Sequence, residues 1–234
     1  MCKQLPLSIS LRVDATFDNF YVSASNAVAV DALKHFCDVS NEHFFYVWGK
    51  GGSGVSHLLQ AVQHRAADLN IQYLPLAELL SPAEAYTPDD VFSGLEVLDL
   101  VVIDDLQKIV GLDNWQLGLF HLYNRLRDAG KRLLIGANGS PRELDLNLAD
   151  LQSRLQWGIS YQFHALNDDE KKQAVLDRAE AMGMRLGDEV MQFILNHCSR
   201  DLRRLMDVLN TIDKASLAEK RHLTIPFVKR VLGF

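Results

Sequence analysis

The sequence predicts an α/β domain with a parallel sheet between helices, followed by a small all-helical domain. Short apolar runs alternate with helical patterns over roughly the first two thirds of the chain, the arrangement that buries a parallel sheet on both faces. A glycine-rich turn joins the first of these runs directly to a helix. Beyond about Leu166 every strand signal stops and only helical periodicity remains. The expected division is a flexible tail over residues 1–13, an α/β domain over 14–165 and a helical lid-like domain over 166–234.

The elements follow in order. Apolar residues recur in helical fashion from Val28 to Phe36, with Ser25 or Asn26 available as a cap. Phe44-Phe45-Tyr46-Val47-Trp48 is aromatic and β-branched and reads as a buried strand. A helix is expected from Ser56 to about Leu69, then strands at 71–74 and 100–103. Trp115, Leu119, Leu122 and Leu126 share one face of a helix over 115–126, and 133–135 forms a further strand. In the last third, Asn167 with Glu170 three residues on forms a capping box for a helix reaching Met182. Helices near 188–196 and 201–217 follow, and a last one starts near Thr224 with Pro226 in its first turn.

The 234 residues carry a formal net charge of -6, which argues against broad binding to a phosphate backbone. Cys2, Cys37 and Cys198 are widely spaced and form no CxxC pair, so neither a disulfide framework nor a zinc site is expected. Reduced thiols in a cytoplasm are the simplest reading. No apolar stretch reaches the length of a membrane span and the N-terminus lacks a secretory h-region. No HExxH or Gly-x-Ser-x-Gly pattern occurs, and Trp48, Trp115 and Trp157 sit in apolar contexts that read as packing.

Gly49-Lys50-Gly51-Gly52-Ser53-Gly54-Val55-Ser56 stands between a strand and a helix, where glycines let backbone amides turn toward an anion. It matches G-x-x-x-x-G-K-[ST] except at the lysine, which is Val55. A strand-to-helix turn needing glycine for geometry alone accounts for the loop equally well. The lysine supplies counter-charge to the β- and γ-phosphates, above all in the transition state. Its loss leaves nucleotide binding by the backbone intact and argues against turnover by this chain alone. Downstream, Val102-Ile103-Asp104-Asp105 ends a strand on two carboxylates, suited to Mg²⁺ and to orienting water. The same pair also serves as an ordinary helix cap.

The order of these motifs resembles the AAA+ superfamily and, within it, the bacterial replication initiator DnaA. The likeness runs through Thr16-Phe17-Asp18-Asn19-Phe20, 54–61, Ile103-Asp104-Asp105-Leu106-Gln107, 151–158 and Asp201-Leu202-Arg203-Arg204-Leu205. It covers roughly Thr16 to the end, and the chain stops where the initiator continues into a DNA-binding helix-turn-helix. The resemblance implies a site for ADP or another nucleotide on Gly51, Gly52, Ser53, Gly54, Val55, Ser56 and His57, with Asp104, Asp105, Asn138 and Arg203. Asn138 matches the first sensor and Arg203 the second. Mg²⁺ would be held by Ser56 and Asp104. Arg154 matches the arginine finger that reaches a neighbour's nucleotide, while an ion pair with Asp150 one turn earlier is the plainer alternative. For Arg203 that alternative is a pair with Asp207.

A short initiator homologue of this shape is similar to regulators that inactivate DnaA together with the DNA-loaded sliding clamp. Gln4-Leu5-Pro6-Leu7-Ser8-Ile9 resembles the Q-L-x-L-x-[LI] peptide of clamp-binding proteins, with Gln4 as amide anchor and Leu5, Leu7 and Ile9 as apolar anchors. The expected partners are therefore DnaA and the DNA polymerase sliding clamp, with DNA reached through the clamp and no membrane. An arginine finger also implies an interface, so a homodimer or larger assembly is compatible. The alternatives are an independent P-loop ATPase of the loader type, a DNA-binding initiator fragment and a nucleotide-free scaffold.

Overall fold

The computed structural model describes residues 11–38, 42–81, 86–199, 201–219 and 222–234. It divides into two compact units, one running to Ala165 and one over Leu166–Phe234.

In the first unit five strands form one sheet: β1 (Phe44–Trp48), β2 (Ile71–Pro75), β3 (Leu100–Asp104), β4 (Arg132–Ala137) and β5 (Ile159–Gln162). Their order is β2-β3-β4-β1-β5, and every pairing is parallel. The two-residue strand period sorts the apolar runs onto opposite faces. Phe44, Tyr46, Val101, Ile103, Leu133 and Ile135 enter one apolar cluster, and Phe45, Val47, Leu100, Val102 and Leu134 enter the other. The first cluster is completed by α3 (Leu76–Leu79), α4 (Pro88–Phe92), α5 (Asp113–Asp128) and α6 (Ala149–Leu155). The second is completed by α1 (Ala27–Asp38) and α2 (Val55–Arg65). Because both faces are covered, the strands read as continuous apolar runs instead of alternating ones.

Trp115, Leu119, Leu122 and Leu126 all lie buried on α5, as their spacing requires. Helix α2 ends at Arg65, four residues short of the expected Leu69. The edge strand β5 carries no sequence signal: none of its residues is fully buried, and two of its four side chains are exposed. Leu11 packs beside the second cluster. The Arg12 amide donates to Gln60 Oε1 at 3.0 Å, and the Arg12 carbonyl meets His64 Nε2 at 3.0 Å. The chain is thus tied to α2 from Leu11 onward, slightly ahead of the boundary expected for the tail. Gln4, Leu5, Leu7 and Ile9 lie outside the described residues.

Asn26 does not spend its side chain on the first turn of α1. Its amide donates to the His164 carbonyl at 3.0 Å and accepts from the His164 amide at 2.9 Å. Asn26 is itself fully buried, and this two-way bond fixes the segment leaving β5 against the start of α1.

The second unit holds α7 (Asp168–Ala181), α8 (Asp188–His197), α9 (Leu202–Glu219) and α10 (Ile225–Leu232). Asn167 and Glu170 form the expected capping box. Thr224 caps α10 and Pro226 occupies its first turn. Val175, Met191, Ile194, Leu205, Leu209, Ile212 and Val228 make its core.

Candidate functional site

Strand β1 lies between β4 and β5, so the loop after Trp48 opens at the carboxyl edge where the strand order reverses. That crevice is where open parallel sheets take ligands. Gly52 and Gly54 adopt φ of 83° and 84°, a left-handed conformation that only glycine takes at little cost. A side chain at Gly54 would also meet Phe20, its Cβ lying 2.6 Å from the Phe20 ring. The turn is closed by the Ser53 amide on the Lys50 carbonyl at 3.0 Å. The amides of Gly51, Gly52, Gly54, Val55 and Ser56 take no partner among the described residues. Gly51 and Gly52 are exposed. Together these groups form a concave set of donors at the positive end of α2, the chemistry that receives a phosphate. His57 is spent elsewhere, its Nε2 lying 2.8 Å from the Thr16 carbonyl.

Val55, in the lysine position, points the other way. It is buried with Leu58, Leu59, Val102 and Leu134. This packing is made by the absence of a side chain on β4: a Cβ at Gly136 would stand 2.9 Å from Val55 Cγ1 and 3.3 Å from Asp104 Oδ1. Lys50 is exposed and its charge is felt by Glu143.

Asp104 is only 3% exposed. Burial pushes its carboxyl above the usual carboxylate range, against the opposing effect of the hydroxyl that Tyr73 donates to it. That bond measures 2.7 Å to Oδ2, while Oδ1 accepts the Asp105 amide at 2.8 Å. The Ser56 hydroxyl also favours the ionised form of Asp104, which couples the loop to the acid. Behind Tyr73, the Gln60 amide donates to the phenol at 3.3 Å, linking the acid to the bond that holds Arg12. Tyr73, Gln60 and Gly136 carried no signal in the sequence, because their roles arise only when β2, β4 and α2 meet.

Asp105 is the one described non-glycine residue with positive φ, 59°. Strain of this kind is concentrated at functional positions. Gln107 holds it there, donating to Asp105 Oδ1 at 2.7 Å and accepting the Asn138 amide at 3.1 Å. The structure therefore brings the loop, Asp104, Asp105 and Asn138 to one edge.

Arg154 lies elsewhere. It ends α6, whose Leu151 and Leu155 are buried in the first apolar cluster. Gly158, four residues on, packs against Phe44, which begins β1. The glycine loop follows the other end of that strand, about 13 Å away at ~3.3 Å per residue. No ion pair joins Arg154 to Asp150 among the described residues. The guanidinium carbon instead stands over the Trp157 ring, 4.2 Å from its centroid. Trp157 is 64% exposed, so it is not the packing residue its sequence context suggests. Arg203, on α9 in the second unit, is exposed and makes no ion pair with Asp207 among the described residues.

Comparison with known proteins agrees with this architecture. The bacterial DnaA ATPase domain matches residues 11–162, and the Hda lid domain matches residues 168–232. An uncharacterized protein of Haemophilus influenzae is 40% identical over 236 residues, covering all of both chains. Domain III of the Thermotoga maritima replication initiation protein DnaA superposes with a TM-score of 0.77 at 23% identity, over 96% of this chain and 98% of that one. AMPPCP-bound DnaA from Aquifex aeolicus superposes with a TM-score of 0.72 at 22% identity, over 90% and 68%. A DnaA-type ATPase domain followed by an Hda-type lid makes this chain a member of the DnaA-homologous AAA+ family.

Proposed function

We propose that this protein is a regulator of chromosome replication initiation that binds the DNA-loaded sliding clamp through its N-terminal tail and promotes hydrolysis of DnaA-bound ATP with Arg154 acting in trans. The observation that carries this reading is the position of Arg154. It makes no ion pair among the described residues and stands on the amino side of the sheet, about a strand's length from the chain's own glycine loop. A guanidinium there serves no nucleotide on its own loop and suits the spread phosphoryl charge of a neighbour's. The tail would supply the clamp contact through Gln4, Leu5, Leu7 and Ile9.

The chain's own site is read as a nucleotide-binding site without turnover. Its donors fit a phosphate: the free amides of the loop and the first turn of α2 receive it. With a valine in the lysine position, the loop favours ADP or a similar nucleotide whose phosphates are held mainly by backbone amides. Ser56 with Asp104 behind it is the pair suited to Mg²⁺, which would supply charge neutralisation at the phosphates. Both Asp104 oxygens already accept protein hydrogen bonds, so its part is to orient the Ser56 hydroxyl. Asp105 and Asn138, held at the same edge by Gln107, complete the set by their matching motif positions.

The test is ATP hydrolysis by a bacterial DnaA in the presence of this protein and clamp loaded on DNA. Wild type should stimulate, a Gln4–Leu7 deletion should not, and the isolated protein should release no phosphate. Stimulation that survives the deletion would sink the clamp-dependent reading, and steady turnover by the protein alone would replace it with an independent ATPase.

A further inference from the structure

We propose that Trp157 is a positioning residue for Arg154, holding its guanidinium extended and chemically unspent; this rests on the reading of Arg154 as a finger acting in trans. A large aromatic side chain left 64% exposed contributes little to burial and calls for another account. Its backbone is determined on both sides. The Trp157 amide bonds to the Arg154 carbonyl at 3.1 Å, α6 is anchored by buried Leu151 and Leu155, and Gly158 packs on Phe44. The ring is therefore presented at a set place beside Arg154.

Two partners compete for a guanidinium at the end of α6. Asp150, exposed and one turn earlier on the same helix, stands at the i, i+4 spacing of an ordinary surface ion pair. Such a pair would occupy the N–H groups and cancel the charge a finger delivers. The indole attracts the cation through its π face instead. A planar guanidinium resting over a ring keeps its five donors at its edge. The observed arrangement is the second, with 4.2 Å between guanidinium carbon and ring centroid.

The experiment measures DnaA ATP hydrolysis with DNA-loaded clamp across a titration of each variant. Trp157→Ala should lower the maximal stimulated rate by roughly two- to fivefold, the scale of an exposed cation–π contact, with the half-saturating concentration within about twofold. Trp157→Phe, which keeps an aromatic face, should recover most of the rate. Asp150→Asn added to Trp157→Ala should also recover part of it, by removing the competing carboxylate. The exposure of Trp157 means that folding should survive, which thermal unfolding checks. A Trp157→Ala protein with the wild-type maximal rate overturns the proposal. So does a loss confined to half-saturation, which would make Trp157 a contact residue, or a Trp157→Phe protein no better than the alanine variant. Arg154→Ala separates the two levels. If it stimulates like wild type, the finger reading itself fails and the positioning role falls with it. If it abolishes stimulation while Trp157→Ala keeps the wild-type maximal rate, only the positioning role is lost.

Discussion

On the proposed reading the loop after β1 and the corner after α6 both meet phosphate, and they differ in what became of the cation. At the loop the donors are backbone amides and the side chain in the lysine position is a valine sunk into the core. At the corner an arginine stands over an exposed indole, with no ion pair among the described residues. On that reading, receiving a nucleotide and acting on one are separable within a single chain. A loop needs only glycine geometry and a helix end to hold an anion, whereas stabilising developing charge needs a positioned cation.

The largest effect that sharpens this comparison is expected from Arg154→Ala. It should reduce DnaA hydrolysis in the clamp-dependent assay by about a thousandfold, the scale of an arginine finger. Thermal unfolding should stay at the wild-type midpoint, because the side chain makes no ion pair among the described residues. Next comes Gly136→Ala, which forces a methyl group among Val55, Leu59 and Asp104. Overpacking of this kind costs about 2 to 3 kcal/mol in urea unfolding. An unchanged midpoint would mean that the loop and the acid are not held as tightly as described.

Val55→Ala should cost about 1.5 kcal/mol of stability through lost packing. Nucleotide affinity, measured by calorimetry, should remain within about threefold, since the amides stay in place. A collapse in affinity at unchanged stability would break the contrast between a buried valine and a backbone site. The smallest effect is expected at Asp104. Its folded-state pKa is raised by burial, so the ionised carboxylate is penalised at neutral pH and relieved as pH falls through the folded pKa. Asp104→Asn should therefore raise the unfolding midpoint at pH 7, and the advantage should shrink as the pH is lowered toward the ordinary carboxylate range.

The central sheet was legible because β1 and β3 are apolar on both faces, so Phe44–Trp48 and Leu100–Asp104 stand out from any background. β5 was not, since its Ser160 and Gln162 face outward from a sheet edge. The glycine loop and the paired carboxylates could be located from spacing because their geometry is set by local backbone. Tyr73, Gln60 and Gln107 could not, because each acts by bridging elements distant in sequence. Trp157 was misread for a related reason. Composition around it is apolar, but exposure is a property of the surface on which α6 ends.

The bonds from Arg12 to Gln60 and His64 set the length of a leash. From the last apolar anchor of the tail, Ile9, only three residue steps lead to that fixed point. Even fully extended they span about 10 Å. A ring-shaped partner gripping the tail would be kept close to α2, with little freedom to swing. Such a tether keeps the local concentration of the bound pair high and narrows the directions from which a third protein can approach. Inserting a flexible stretch after Ile9 should leave the grip itself intact while weakening stimulation of DnaA, and equal stimulation at every insert length would show that the short leash has no part in it.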